Sequence, residues 1–298
     1  GFTSRYGIEL DSMSGKGNEL TQKILAERRA DLHIVDVHTS GATDPILSLK
    51  PASAVDKMDG ALILPEVTDP KLWYKGKLPW ADKEHTTFSF LAYESGEIGI
   101  NTNLVKPGEI KILQDLLDPK WKGKIIFNDP TVSGTGSKLV GVVATRQGWD
   151  FWRQIVKQEP VILRDQRLMV EWMAQGKYAI VIPPESEPFK VVMEAGAPVD
   201  TITLEGVGYL TGDVLNLIKD APHPNAAKVF INWLLSREGQ EIFSRVKGAQ
   251  SAREDIKVEG IRSRNPGMDY FESNNEEFIF KQADNLRVAR EVFGPLMK

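Results

Sequence analysis

The 298-residue chain contains no cysteine. This absence excludes disulfides, thiolate nucleophiles and cysteine-ligated zinc or iron-sulfur sites. It is typical of proteins of oxidising compartments, although many cytosolic proteins also lack cysteine. No apolar run approaches the roughly 20 residues that a membrane-spanning helix needs, and no signal peptide opens the sequence. We therefore expect a globular protein whose export would require a leader that was removed or left out.

The chain also lacks an excess of positive charge. It has 37 Lys and Arg against 41 Asp and Glu, which gives a formal net charge of -4. Because the basic residues are scattered along the sequence, they predict no positively charged surface for nucleic acid, and we expect no nucleic-acid partner. Hydrophobic residues make up 41% and charged residues 26%, as in an ordinary soluble protein. The length is sufficient for two domains.

Catalytic signatures are missing as well. The sequence has no GxSxG elbow, HExxH pair, Walker loop or GxGxxG followed by an acidic residue. His33 and His38 do not form a ligand pair, because residues five apart on a strand face opposite sides. We therefore predict no catalytic residue, no metal site and no cofactor. Since triads formed in space are invisible in a sequence, an α/β enzyme acting on an anionic substrate is the alternative class.

The most specific pattern is APHPNAAKVFINWLLSREGQ, residues 221–240. Pro222 and Pro224 prevent the helix from extending further towards the N-terminus, and Asn225 is a good helix cap. The apolar residues that follow recur at spacings of three and four, which predicts one amphipathic helix with a second helical turn after residues 236–239. From this pattern alone we expect the helix to pack its apolar stripe against the rest of the protein and not to contact a ligand.

Several stretches together resemble one protein family. The helix pattern is followed by Ser251-Ala252-Arg253-Glu254-Asp255, and preceded by LLDPKWKGK at 116–124 and GKYAIVI at 176–182. In this order they resemble the bacterial extracellular solute-binding proteins of ABC importers, in the subgroup of ferric-ion binders and their organic-anion relatives. The resemblance covers nearly the whole chain. It also implies a first strand and a ligand-facing loop ahead of Phe2.

The resemblance implies an α/β protein with the two-lobed, type II periplasmic-binding-protein fold, in which two strands cross between the lobes. Lobe 1 would comprise residues 1–96 and 207–298, and lobe 2 residues 97–206. The implied function is the capture of a small organic anion, a carboxylate or phosphonate, in the cleft between the lobes. The ligand would then be presented to the membrane permease on the periplasmic or extracellular side. We expect a monomer.

One feature departs from the ferric-ion binders. They carry an adjacent pair of tyrosines that hold the metal, whereas this chain has Glu185-Ser186-Glu187 after the predicted strand 178–182. Carboxylates such as Glu185 suit hard cations, so a ferric ion or metal chelate is the alternative ligand. A solvated loop is the other interpretation.

The best binding candidate is the loop from Thr131 to Ser137, between a predicted strand at 124–127 and a helix. Glycines let the backbone approach a ligand, hydroxyl groups can donate to it, and a helix start adds unpaired N–H groups. That combination selects an oxyanion, and a plain capped turn is the alternative. The residues assigned to the ligand here are Thr131, Ser133, Gly134 and Thr135.

Two arginines follow the predicted strand 161–163. A guanidinium at a strand end can donate two parallel hydrogen bonds to a carboxylate or phosphonate. We therefore assign Arg164 to the ligand, with Arg167 as the alternative. Asp165 equally fits a helix cap, with both arginines in water.

Four further residues complete the predicted site. A strand at 31–39 running into a helix makes Ser40 and Gly41 candidates, with a capping turn as the alternative. The resemblance implies that Tyr209 and Thr211 lie at the cleft floor, where Tyr209 would line the apolar part of the ligand or pack in the hinge.

Overall fold

The computed structural model describes residues 1–261, 264–265 and 267–297. The chain forms two compact units, each built from several segments. None of the helices in this part of the chain has both the length and the apolar character required to cross a membrane. Unit 1 comprises Gly1–Tyr93, Leu210–Asn265 and Glu272–Phe280, and unit 2 comprises Glu94–Tyr209, Pro266–Phe271 and Lys281–Lys298.

The helices begin and end where proline and glycine indicate. Gly7 and Gly248 close two of them with left-handed φ values of 66° and 65°. The structure confirms the helix predicted from the packing stripe. The cap predicted at Asn225 is wrong, because the helix already begins at Pro224, whose fixed φ suits the first helical position, and the N-cap is His223. In chain order the helices are α1 (Phe2–Tyr6), α2 (Gly17–Arg29), α3 (Pro65–Thr68), α4 (Thr135–Gln147), α5 (Asp150–Ile155), α6 (Gln166–Ala174), α7 (Ser186–Glu194), α8 (Pro224–Leu235), α9 (Arg237–Lys247) and α10 (Glu276–Phe293).

The strands are short and form three sheets. In chain order they are β1 (Val37–Gly41), β2 (Phe88–Ser89), β3 (Tyr93–Ser95), β4 (Ile98–Asn101), β5 (Ile125–Asn128), β6 (Val161–Leu163), β7 (Ile180–Ile182), β8 (Val199–Ile202), β9 (Tyr209–Thr211), β10 (Asp213–Leu217) and β11 (Phe271–Glu272).

Unit 1 contains an antiparallel sheet of order β1-β10-β2. The strand predicted at 31–39 is wrong at its start, because Asp31 adopts a left-handed φ of 59° just after α2 and only residues 37–41 pair with β10. A π-helical turn at Pro45–Leu49 follows β1. Apolar residues from α2, from this turn and from the position just after β10 form part of the core of the unit, including Ile24, Leu49 and Ile218.

Helix α8 packs in unit 1 as its apolar stripe predicts. Ile231 and Leu235 are fully buried. Asn232, also buried, donates to the carbonyl oxygen of Ala61 at 2.7 Å, and its own oxygen accepts from the backbone N–H groups of Ile63 and Leu64. The helix therefore organises its surroundings through apolar contacts and one buried amide.

Unit 2 contains a mixed sheet of order β6-β5-β7-β4-β8. Strands β6 and β7 run parallel to β5, whereas β4 is antiparallel to both β7 and β8. The central strands are fully buried because helices cover them, which explains their continuous apolar sequence. One part of the core gathers Ile126 and Val181 of the sheet with Met169 and Met173 of α6.

The units differ from the predicted lobes mainly at the C-terminus. The sequence-based division placed residues 207–298 in lobe 1, whereas the second half of α10 belongs to unit 2. The physical reason is packing, since the ring of Phe293 lies 5.3 Å from that of Phe127 and 6.0 Å from that of Trp152. Along the chain, the passage from one unit to the other falls inside β3, β9, β11 and α10, and once more after Asn265.

Candidate functional site

The candidate site lies in unit 2, at the carboxyl ends of two neighbouring parallel strands. Asn128, the last residue of β5, is in register with Leu163, the last residue of β6. The backbone N–H of Asp129 donates to the carbonyl oxygen of Leu163 at 2.9 Å. Asp129 and Arg164 therefore leave the sheet side by side, at the edge where ligands bind in open α/β sheets.

A buried carboxylate organises this edge. One oxygen of Asp129 accepts from both the backbone N–H and the hydroxyl of Thr131, at 2.8 Å and 2.6 Å. Its other oxygen accepts from Nε of Arg164 at 2.7 Å. The Asp129 side chain is 1% exposed, whereas that of Arg164 is 68% exposed. In this ion pair the carboxylate of Asp129 is buried and fixed, whereas the guanidinium of Arg164 is accessible to solvent.

The pKa of Asp129 reflects these contacts. Burial raises the pKa of this carboxyl, but the hydrogen bonds from Thr131 and Arg164 outweigh burial and hold it below its usual value. Asp129 is therefore ionised at neutral pH and retains its ion pair with the guanidinium of Arg164.

Arg164 is the predicted residue with the clearest binding geometry. Its Nε is engaged by Asp129, while no other described residue accepts a hydrogen bond from its Nη1 or Nη2. Those two nitrogens are the edge with which a guanidinium grips a carboxylate or phosphonate. Asp165 proves to be the helix cap of α6, accepting from the backbone N–H of Leu168 at 3.0 Å. Arg167 is exposed on the first turn of that helix.

The start of α4 lies directly after this turn. Gly136 packs so closely on β5 that a Cβ there would meet the carbonyl oxygen of Asn128 at 2.3 Å. Ser137 closes the helix start, since its hydroxyl contacts the backbone N–H and carbonyl of Gly134 at 3.1 Å and 3.0 Å. The hydroxyl of Thr135 is buried without a hydrogen-bond partner among the described residues. The first N–H groups of α4 precede its internal ladder and remain available for an anion.

The other predicted residues of unit 2 are placed differently. Thr131 is buried, and both its N–H and hydroxyl are used internally, so it shapes the turn. Ser133 is exposed on the loop, and Glu185 is exposed at the N-cap of α7, just after β7. Tyr209 is 1% exposed and its ring lies beneath Gly96, which matches the alternative of an aromatic packed at a crossing strand.

Three predicted residues belong to unit 1. Ser40 and Gly41 are the last residues of β1, where Ser40 pairs with Val214 and its hydroxyl donates to the carbonyl oxygen of Gly41 at 3.0 Å. They therefore end a strand in place of the predicted turn. Thr211 ends β9 and lines a small pocket of about 40 Å³ together with Trp80 and Asn274.

A group of carboxylates in unit 1 has the spacing of a metal site. Among the described residues, Asp82, Glu84 and Glu276 bring their oxygens within 4.8 Å of one another. The ammonium of Lys50 already contacts all three, lying 3.2 Å from Asp82 and 2.6 Å from Glu276. Burial lowers the pKa of Lys50, but these hydrogen bonds outweigh burial and raise it. We assign no metal to this group, because the ammonium of Lys50 already lies in contact with all three carboxylates.

Asp129 is the residue of the candidate site that the sequence analysis missed. A signal was present, because Asp followed by Pro and Thr is typical of a turn in which the carboxylate accepts from a backbone N–H two residues on. What the sequence does not reveal is the arginine partner, which lies 35 residues away and depends on the register of β5 against β6.

Solved structures share this fold over nearly the whole chain. A putative extracellular solute-binding protein from Bordetella parapertussis superposes with a TM-score of 0.77 at 17% identity, covering 98% of this chain and 91% of that one. The IdiA (FutA) protein of Trichodesmium, in complex with iron and citrate ligands, gives 0.75 at 19% identity over 98% and 93%. AfuA of Actinobacillus pleuropneumoniae, a periplasmic binding protein with fructose-6-phosphate bound, gives 0.66 at 18% identity over 98% and 92%. The fold is therefore that of the two-lobed periplasmic binding proteins.

Sequence comparison gives the family. An uncharacterized protein of Haemophilus influenzae is 29% identical over 153 residues, which cover 48% of this chain and 44% of that protein. The match thus spans less than half the length of that relative. The model of the family described as bacterial extracellular solute-binding proteins matches residues 1–246, which is more than half of the chain. The chain therefore belongs to the family of bacterial extracellular solute-binding proteins.

Proposed function

We propose that this chain is the solute-binding component of an ABC importer that captures a small organic anion of the carboxylate or phosphonate type. It acts as a monomer on the periplasmic or extracellular side and presents its ligand, chemically unchanged, to the membrane permease. Unit 1 and unit 2 correspond to the two lobes of the fold.

The observation that carries the proposal is the guanidinium of Arg164. Its Nε is held at 2.7 Å by a carboxylate that is itself 1% exposed, so the outward edge has a defined direction. A guanidinium presents two parallel N–H donors along that edge, which match the two oxygens of a carboxylate or phosphonate. Because the side chain is already positioned, less rotamer freedom is lost when an anion binds.

The neighbouring start of α4 supports the same ligand chemistry. Helix α4 has 13 residues, and its first N–H groups carry a partial positive charge. The contact of Gly136 with Asn128 fixes this start against the end of β5, next in sequence to Asp129. Ser133 is exposed there, so its hydroxyl reaches solvent beside the turn.

The alternative ligand is a ferric ion or metal chelate, which the iron and citrate in the Trichodesmium structure favour. A chelate such as that would itself present carboxylates. A bare ferric ion has less support, because no tyrosine pair follows β7 and the carboxylate group of unit 1 already holds Lys50. An organic anion therefore remains the first choice.

The decisive experiment is the identification of what the purified protein carries. The protein is denatured, the released small molecules are identified by mass spectrometry, and the metal content is measured on the same sample. An organic anion recovered without stoichiometric metal supports the proposal, while stoichiometric iron with no organic ligand contradicts it. Incubating the recovered anion with the protein then separates binding from catalysis, because an enzyme would convert it.

We expect Arg164→Ala to weaken the binding of an organic anion by about 1 to 3 kcal/mol, or roughly 5-fold to 150-fold in Kd, because a charge-assisted hydrogen bond is lost. Calorimetric titration with the recovered anion, and with methylphosphonate and succinate as defined probes, measures the change. Arg153→Ala is the matched control, since Arg153 lies on α5 and pairs with Asp150. Arg167→Ala tests the alternative arginine. An unchanged affinity in Arg164→Ala would remove this residue from the site.

A further inference from the structure

The turn that holds Arg164 is tied to the C-terminal helix by a second arginine. Nε of Arg290, on α10, donates to the backbone carbonyl oxygen of Thr131 at 2.9 Å. The neighbouring Phe293 is fully buried and packs its ring on Phe127 and Trp152. Because Phe127 belongs to β5, α10 is anchored to the strand from which the turn emerges.

The hydrogen bonds continue without a gap from α10 to Arg164. Arg290 donates to the carbonyl of Thr131, whose N–H and hydroxyl donate to one oxygen of Asp129. The other oxygen of Asp129 accepts from Nε of Arg164. Each residue in the series thus fixes the next, and Thr131 is held through both its backbone N–H and its backbone carbonyl.

We propose that Arg290 is a positioning residue that holds the outward edge of Arg164 in its binding orientation through Thr131 and Asp129. Without it, the carbonyl of Thr131 loses its only side-chain donor among the described residues, and the turn rotates more freely. Asp129 then accepts from Arg164 with poorer geometry. The consequence for anion binding rests on the proposed function, whereas the effect on Arg164 itself does not.

Charge supports the same assignment. Arg164 alone is balanced by Asp129, so this pair has no net charge to offer an anion. Arg290 adds a second guanidinium to the same turn, and the three groups together carry one positive charge. Among the described residues, the contact made by the guanidinium of Arg290 is the one with the carbonyl oxygen of Thr131, and no acidic residue forms an ion pair with it. The turn is therefore positive overall, as an anion site requires.

The direct test follows the Nε–H group of Arg164 and needs no ligand. Protein labelled with ¹⁵N-arginine gives one Nε–H signal per ordered arginine, and its rate of exchange with water reports the hydrogen bond. We expect Arg290→Met to accelerate the exchange of Arg164 about 5-fold to 10-fold, as the loss of one supporting hydrogen bond predicts. The Nε–H of Arg253, which donates to Asp255 at 2.9 Å, is the internal reference and keeps its rate.

Two further variants make the test specific. Arg287→Met makes the same change one turn earlier on α10, where Arg287 pairs with Glu291 at 2.8 Å, and leaves the exchange of Arg164 unchanged. Arg290→Lys keeps a donor for the carbonyl and is expected to restore most of the protection. An unchanged rate in Arg290→Met, or an equal acceleration in Arg287→Met, overturns the proposal.

Titration with methylphosphonate adds the binding consequence. In the protein that retains Arg164, Arg290→Met is expected to raise Kd about 3-fold to 10-fold. In the Arg164→Ala variant the same substitution changes Kd little, because the side chain that Arg290 positions is absent. Faster Arg164 exchange in a protein that binds no organic anion would retain Arg290 as a positioning residue and reject the proposed function. Equal losses of affinity in both backgrounds would show that Arg290 acts independently of Arg164 and contradict the inference.

Discussion

Replacing Arg253 by Met is expected to lower the free energy of unfolding by about 3 to 5 kcal/mol, the range for removing one partner of a buried ion pair. Its side chain is 1% exposed and donates from Nε and Nη2 to the two oxygens of Asp255, at 2.9 Å and 2.8 Å. Nη1 donates to the carbonyl oxygens of Glu66 and Leu235. Methionine fills part of the space but leaves all four acceptors without this donor.

Urea denaturation followed by circular dichroism measures the loss. Arg237→Met is the matched control, because Arg237 is exposed and pairs with Glu241 one helical turn away. We expect this control to change stability by no more than about 0.5 kcal/mol, as exposed pairs within a helix contribute little. Similar losses in both variants would show that burial of Arg253 contributes nothing specific.

The same variant has a predictable pH dependence. Burial raises the pKa of Asp255, but the hydrogen bonds from Arg253 outweigh burial and lower it below the usual value. A carboxyl with a lowered folded-state pKa contributes stability above its unfolded pKa of about 3.9, and this contribution is lost as pH falls through the folded-state value. The difference between wild type and Arg253→Met should therefore be largest near neutral pH and shrink below about pH 4.

Arg253 also shows how far the sequence predicts this fold. The stretch around it carries part of the resemblance to solute-binding proteins, and the structure gives that stretch an interior role in unit 1. Helix α8, the cap at Asp165 and the strands β5 and β6 follow from local patterns, because periodicity, capping residues and apolar runs act over a few residues. The start of β1 did not follow, since pairing with β10 decides which residues are extended.

The candidate site was predictable to the same extent. Glycine and hydroxyl residues after an apolar strand predicted the loop at 131–137, of which the last three residues prove to be the start of α4. An arginine after the next strand predicted Arg164. The links that turn these into one constellation act over long separations, 35 residues from Asp129 to Arg164 and 159 from Thr131 to Arg290. Such links depend on strand register and helix packing, which no local pattern encodes. The same limit applies to Tyr209, whose burial beneath Gly96 is a tertiary property.

Replacing Gly136 by Ala is expected to lower the free energy of unfolding by about 3 kcal/mol and to displace the start of α4 from β5. A Cβ at this position would lie 2.3 Å from the carbonyl oxygen of Asn128 and 2.9 Å from its carbonyl carbon. Both atoms are backbone and belong to the end of a fully buried strand, so the strain falls on the helix start. The first N–H groups of α4 are then displaced from the end of β5, and we expect the affinity for an organic anion to fall with stability.

Gly134→Ala provides a matched control two residues earlier in the same helix start. No atom lies within 4 Å of the Cβ it would gain, and its φ of 165° is extended backbone that alanine adopts readily. Because glycine is a better N-cap than alanine, we expect a loss below about 1 kcal/mol. Urea midpoints measure the stability of both variants, and titration with methylphosphonate measures the affinity of Gly136→Ala. If the two substitutions lowered stability equally, the close approach of Gly136 to Asn128 would not be what fixes the start of α4 against β5.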